Sequence, residues 1–213
     1  MINKEKNIIV IGSSTGGPKL LAKLFSELPP LNAAIIIVQH VPPVFDRRIA
    51  ERLDRLCSMD VVLAQDGDVL ENRKVYFAPA QKHLKVLHNS KVMLVKDEEV
   101  NCCCPSIDVT MGSIRANKLG KIVGVVLTGM GRDGADGISH IKSIGGITIA
   151  QDEASSVIYG MPKAAYETGK VDFVLHEDDI CAKLEEIVSF NMNSTLSKQV
   201  YFPNITSSKN EHL

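Results

Sequence analysis

The chain has 213 residues, 45% of them apolar and 23% charged, with a formal net charge of -1. That balance excludes a general nucleic-acid or membrane-surface binder, since both rely on basic excess. No stretch is apolar for the roughly 18 residues of a membrane span, and the polar start Met1–Lys6 lacks the order of a signal peptide. The five cysteines are odd in number and three are consecutive, which is no secreted disulfide framework, so a cytoplasmic location is expected.

The predicted elements alternate. Residues 7–12 (NIIVIG) and 33–39 (AAIIIVQ) are near-continuous apolar runs, the pattern of parallel strands buried on both faces. Between them, residues 18–28 carry Leu20, Leu21, Leu24, Phe25 and Leu28 at helical spacing, and residues 45–56 repeat that pattern. Residues 61–64, 74–78, 84–88 and 91–95 read as short strands separated by turn residues, and an antiparallel or mixed addition is expected there. Residues 105–118 read as a helix that Ser106 can cap. A buried strand follows at 121–128, then a helix at 134–143, a strand at 147–150, a helix at 162–168, a strand at 171–175 and a helix at 178–189. The expected fold is α/β: a doubly wound, mostly parallel sheet with an antiparallel addition and helices on both faces. Residues 1–190 are expected to form the domain, and the polar stretch 191–213 a mobile tail.

Polar residues stand where the apolar runs stop. Gly12-Ser13-Ser14-Thr15-Gly16-Gly17 follows the first strand, and its Gly-x-Ser-x-Gly fits a nucleophile elbow centred on Ser14. On the loop alone, a plain strand-to-helix turn or a phosphate-cradling loop is an equal reading. His40 directly follows the second strand, ahead of Pro42 and Pro43. Asp133 lies just past the strand 121–128, with Asp136 a competing candidate. All three residues thus stand beyond the carboxyl ends of predicted parallel strands, the edge where open α/β sheets bind ligands. Ser, His and Asp on one edge are what acyl transfer requires. Their order in the chain is Ser, His, Asp, which disfavours the ordinary α/β-hydrolase arrangement.

The stretches IGSSTGGP (11–18), VQHVPPVFDRRIAERL (38–53), VYFAPAQKHL (75–84), PSIDV (105–109), VVLTGMGRDGADG (125–137) and AQDEASSVIYGMPKAA (150–165) together resemble the catalytic domain of the CheB methylesterases. The resemblance implies a doubly wound α/β domain that hydrolyses glutamate γ-methyl esters on cytoplasmic helices of chemoreceptors, with deamidation of certain glutamines alongside. It implies Ser14 as nucleophile, His40 as base and Asp133 as orienting acid. Thr15, and more loosely Met130, are candidates for the oxyanion and ester pocket. Met130 reads otherwise as core packing. No cofactor, metal, nucleic acid or membrane insertion is expected.

The sequence departs from the family pattern in two places. Its first strand begins within ten residues, so the receiver domain that usually precedes the catalytic domain is not expected, nor is control by phosphorylation of the same chain. The usually basic segment before Pro105 is here Asn101-Cys102-Cys103-Cys104. Adjacent cysteines cannot all face one tetrahedral ion, so no metal site is expected from the three together. Two other readings are a phosphate- or nucleotide-binding module, which lacks a loop lysine and an acid at the end of the second strand, and a non-catalytic receptor-binding relative, which the intact Ser14, His40 and Asp133 disfavour.

Overall fold

The computed structural model describes residues 6–116 and 120–189. In chain order its elements are β1 (Asn7–Ser13), α1 (Gly17–Glu27), β2 (Ala33–Gln39), α2 (Phe45–Leu56), β3 (Asp60–Leu63), β4 (Lys74–Phe77), β5 (His83–Val86), β6 (Val92–Val95), α3 (Ile107–Ser113), β7 (Ile122–Val126), α4 (Ala135–Ser143), β8 (Ile147–Gln151), α5 (Met161–Glu167), β9 (Phe173–Leu175) and α6 (Glu177–Ser189). Seven strands form one sheet in the order β3-β4-β2-β1-β7-β8-β9, and β5 pairs with β6 in a separate two-stranded sheet.

Side-chain alternation explains the two continuous apolar runs. Ile9 and Ile11 of β1 and Ile35 and Ile37 of β2 face one core with Leu21 and Phe25 of α1, Leu53 of α2 and Leu184 of α6. Ile8, Val10, Ala34 and Ile36 face a second core with Ile107 of α3, Ile138 of α4, Met161 of α5 and Leu84 of the β5–β6 pair. Both faces are covered, so every position of β1 and β2 is buried.

The expected antiparallel addition proves smaller than its sequence range. β3 and β4 join the main sheet in parallel, with Val61 opposite Val75 and Ala34 opposite Lys74. Only β5 and β6 run antiparallel, His83 opposite Val95. Four-residue strands carry too short a pattern to distinguish the two pairings. The short connection between β3 and β4 is held by Tyr76, whose hydroxyl donates to Val69 O at 2.7 Å and accepts from Glu71 N at 3.0 Å. The helix expected over 105–118 starts as anticipated, Ser106 accepting a bond from Val109 N, but ends at Ser113. Gly112 and Ser113 weaken its last turn, and Ser113 Oγ bonds back to Thr110 O at 2.6 Å. The expected tail 191–213 lies outside the described residues.

Outward from β1 the sheet runs β2, β4 and β3 on one side, and β7, β8 and β9 on the other. The crevice between the carboxyl ends of β1 and β7 is therefore the topological switch point, the place where such sheets bind ligands.

Candidate active site

Ser14 leaves β1 at that crevice. Its N–H donates to Thr128 O beyond β7, and Gly17 N donates to Ser14 O, which curls the chain into α1. Gly16, the N-cap of α1, has φ +85°, a left-handed conformation that suits glycine. Ser13 and Gln39 pair in register across β1 and β2, so Ser14 and His40 leave neighbouring strands side by side. Gln39 ties them together. Its side-chain amide donates to Ser14 O and His40 O, both at 2.9 Å, and its oxygen accepts from Ser13 Oγ at 2.6 Å.

His40 is held from both sides. Nε2 donates to Asp133 Oδ2 at 2.8 Å, and Nδ1 faces Cys103 Sγ at 3.5 Å. The imidazole is 13% exposed and Asp133 only 2%. An ionised carboxylate has no proton to give, so Nε2 carries the ring proton and Nδ1 is the basic nitrogen. Ser14 Oγ makes no hydrogen bond to His40 among the described residues. Such contacts are often long before substrate binds.

Asp133 accepts from far more than His40. Ser106 Oγ donates to it at 2.7 Å, Ile107 N at 2.7 Å, Asp108 N at 3.2 Å and Asn101 Nδ2 at 3.3 Å. Burial by itself raises its pKa, but the bonds from His40, Ile107 N and Ser106 outweigh burial and hold it below the usual carboxylate range. Asp136, the competing candidate, points outward in an exposed ion pair with Arg132 at 3.1 Å.

Thr15 is exposed at the start of the loop, and its carbonyl accepts from Thr128 Oγ1 at 2.9 Å. Met130 is 78% exposed, which corrects the core-packing reading. Gly129 N and O bond Ile158 and Met161 across the crevice and set Met130 on the rim. Met161, across the crevice, is buried instead. A Cβ on Gly129 would come 2.3 Å from Met161 Sδ and 2.7 Å from Ser14 Cβ. Gly129→Ala is thus expected to displace the serine: kcat/KM should fall at least about 100-fold, with a stability loss of about 1–3 kcal/mol. Steady-state turnover beside thermal denaturation checks this, and unchanged turnover would refute the packing argument.

Sequence alone does not mark Gln39, Ser106, Asp108 or Cys103 as neighbours of the Ser14, His40 and Asp133 edge. For Ser106 the signal was its N-cap role, which hid a second bond to Asp133. Asp108 accepts from Gly134 N at 2.9 Å and Gly137 N at 2.7 Å, clamping α3 to α4. Burial lifts its pKa, and the charge of Asp133 adds to that against the bond from Gly137, bringing it to about 6. An acid raised in the folded state is still protonated there when the unfolded chain has ionised. Stability should therefore fall as pH rises from the ordinary 3.8 to about 6, by about 1 kcal/mol after screening at this partly exposed site. Urea unfolding across that window should show the decline in the native chain and a flatter profile in Asp108→Asn. The Cys103 thiol is pushed up to about 12, first by burial and then by Asp133.

The fold and this edge define a doubly wound α/β protein with a hydrolase-like site: a serine on a glycine-rich turn beside a histidine anchored to a buried aspartate. The chain belongs to the CheB methylesterase family, whose profile matches residues 9–184. It is 48% identical over 171 residues to a Pyrococcus horikoshii protein named protein-glutamate methylesterase/protein-glutamine glutaminase, covering 78% of this chain and 46% of that one. A Clostridium acetobutylicum protein of the same name is 43% identical over 183 residues, 84% of this chain and 52% of the relative. The chain thus spans about half the length of these curated relatives. The Thermotoga maritima CheB methylesterase catalytic domain superposes with a TM-score of 0.80 at 40% identity, covering 87% of this chain and 99% of that one. No helix among the described residues is long and apolar enough to cross a membrane.

Proposed function

We propose that the protein is a serine hydrolase that removes methyl groups from glutamate γ-methyl esters on the cytoplasmic helices of chemoreceptors, releasing methanol, and that residues 1–190 are its catalytic unit. The observation that carries this reading is the 2.8 Å bond from His40 Nε2 to Asp133 Oδ2, one strand from Ser14, in a chain of this family. Ser14 Oγ attacks the ester carbonyl and passes its proton to His40 Nδ1, while Asp133 stabilises the imidazolium. The N–H groups of Thr15 and Met130 receive the oxyanion. Methanol leaves with the proton from His40, and water releases the glutamate by the same steps in reverse. The same attack on a glutamine amide expels ammonia.

A macromolecular substrate fits the rim. Val44, Met130, Val157 and Ile158 on the loops beyond β2, β7 and β8, and Phe45 at the start of α2, are exposed. Apolar side chains gathered there suit the face of a receptor helix. The test is methanol release from methylated chemoreceptor in the cytoplasmic fraction. Release above the spontaneous rate supports the reading, and none under native conditions would refute it.

A further inference from the structure

One inward-facing thiol is used by no step above. Cys103 Sγ lies 3.5 Å from His40 Nδ1 and 3.3 Å from Asn101 O. It is placed there by a tight turn: Val100 and Cys103 exchange backbone bonds of 3.1 and 3.0 Å, and the intervening Asn101 and Cys102 have φ +53° and +58°. The turn exposes Cys102 and aims Cys103 at the imidazole. Ligand atoms of His40, Cys103 and Asp133 lie within 4.8 Å of one another.

We propose that Cys103 and His40 form an inhibitory site for a thiophilic divalent cation of the zinc or cadmium type, with Asp133 orienting the histidine. Across a tetrahedral zinc, sulfur and nitrogen ligands at about 2.3 and 2.0 Å stand about 3.5 Å apart, which is the separation found here. A metal-bound histidine typically gives its other ring N–H to a carboxylate, as Nε2 gives its proton to Asp133. Thiolate with imidazole selects soft or borderline ions over magnesium or calcium. Asp133, Asp108 and Glu99 make the surroundings of Cys103 negative. On binding, the thiol proton passes to solvent, sulfur and Nδ1 each donate a lone pair to the ion, and water fills the remaining positions. Nothing is oxidised. Since Nδ1 is the basic nitrogen, an ion there leaves Ser14 without a proton acceptor. The inhibitory consequence rests on the proposed esterase reading, but the binding does not.

The experiment has two arms on the full chain. In the first, cadmium alone is titrated into Ser14→Ala and into the same chain carrying Cys102→Ala and Cys104→Ala, following the ultraviolet thiolate-to-cadmium band, with zinc binding measured by calorimetry. The band should survive the loss of both neighbouring cysteines and vanish in Cys103→Ala or Cys103→Ser. In the second, zinc should suppress turnover on methylated receptor, a chelator should restore it, and Cys103→Ala should need at least about 10-fold more zinc. A band that persists without Cys103, or no binding in the triple variant, would overturn the metal site. Absence of turnover in every chain would instead strike at the esterase reading, leaving the binding arm to decide the metal site. Circular dichroism of Cys103→Ser guards against misfolding as the cause of a lost band.

Discussion

Ser14→Ala should lower methyl-ester turnover by about a million-fold, the usual loss when a catalytic nucleophile is removed, while leaving the unfolding free energy within about 0.5 kcal/mol. Ser14 is half-buried and its hydroxyl makes no described hydrogen bond, so the folded state loses little with it. Ser13→Ala is the sharper control because its consequences run the other way. Ser13 Oγ is buried and donates to Gln39 Oε1 at 2.6 Å, so its loss should cost about 1–2 kcal/mol of stability and far less in rate. Turnover on methylated receptor and urea unfolding of both variants test the pair. A Ser14→Ala chain that keeps more than a few per cent of native turnover would rule Ser14 out as nucleophile.

Asp133→Asn should be damaging in both measurements. The amide offers one acceptor oxygen where the carboxylate receives His40 Nε2, Ser106 Oγ, Asn101 Nδ2, Ile107 N and Asp108 N. Its NH2 must turn against at least one of those donors. Breaking such a buried charged cluster costs about 3–5 kcal/mol, and disorienting the histidine about 10,000-fold in rate. His40→Ala should lose nearly as much rate as Ser14→Ala but less stability than Asp133→Asn, because Asp133 keeps its other donors. The doubly substituted Ser14→Ala/His40→Ala chain should be little slower than either single variant. Multiplied losses would mean that the residues act independently, and a stable Asp133→Asn chain slowed only a few-fold would contradict its orienting role.

Which parts were legible follows from where the signals lie. β1 and β2 announce themselves because both faces are covered, so their apolar runs are unbroken and stop abruptly at Ser14 and His40. Asp133 stood out in the same way, a few residues beyond β7. Position relative to a strand end is local information. The pairing of β3 and β4 was not local: four residues of half-buried strand read alike in either direction, and the choice was made by β2 as a neighbour and by Tyr76 holding the connection. Gln39 read as the last residue of a strand, although its side chain joins the loops of Ser14 and His40.

The three consecutive cysteines mark the boundary most clearly. Their adjacency implied that they could not converge on one point, and nothing in the sequence showed which of them faces the imidazole. The left-handed turn at Asn101 and Cys102 decides that, and it brings Cys103 to a histidine 63 positions earlier in the chain. By itself the sequence determined the alternation of elements, the doubly wound fold and the strand ends carrying Ser14, His40 and Asp133, because burial periodicity and chain breaks are written residue by residue. Only the tertiary structure decided that His40 turns Nε2 to Asp133 and Nδ1 to Cys103, and that Asp133 binds the start of α3 as well. Those bonds join residues from separate segments, and their partners are chosen by how the strands and helices pack.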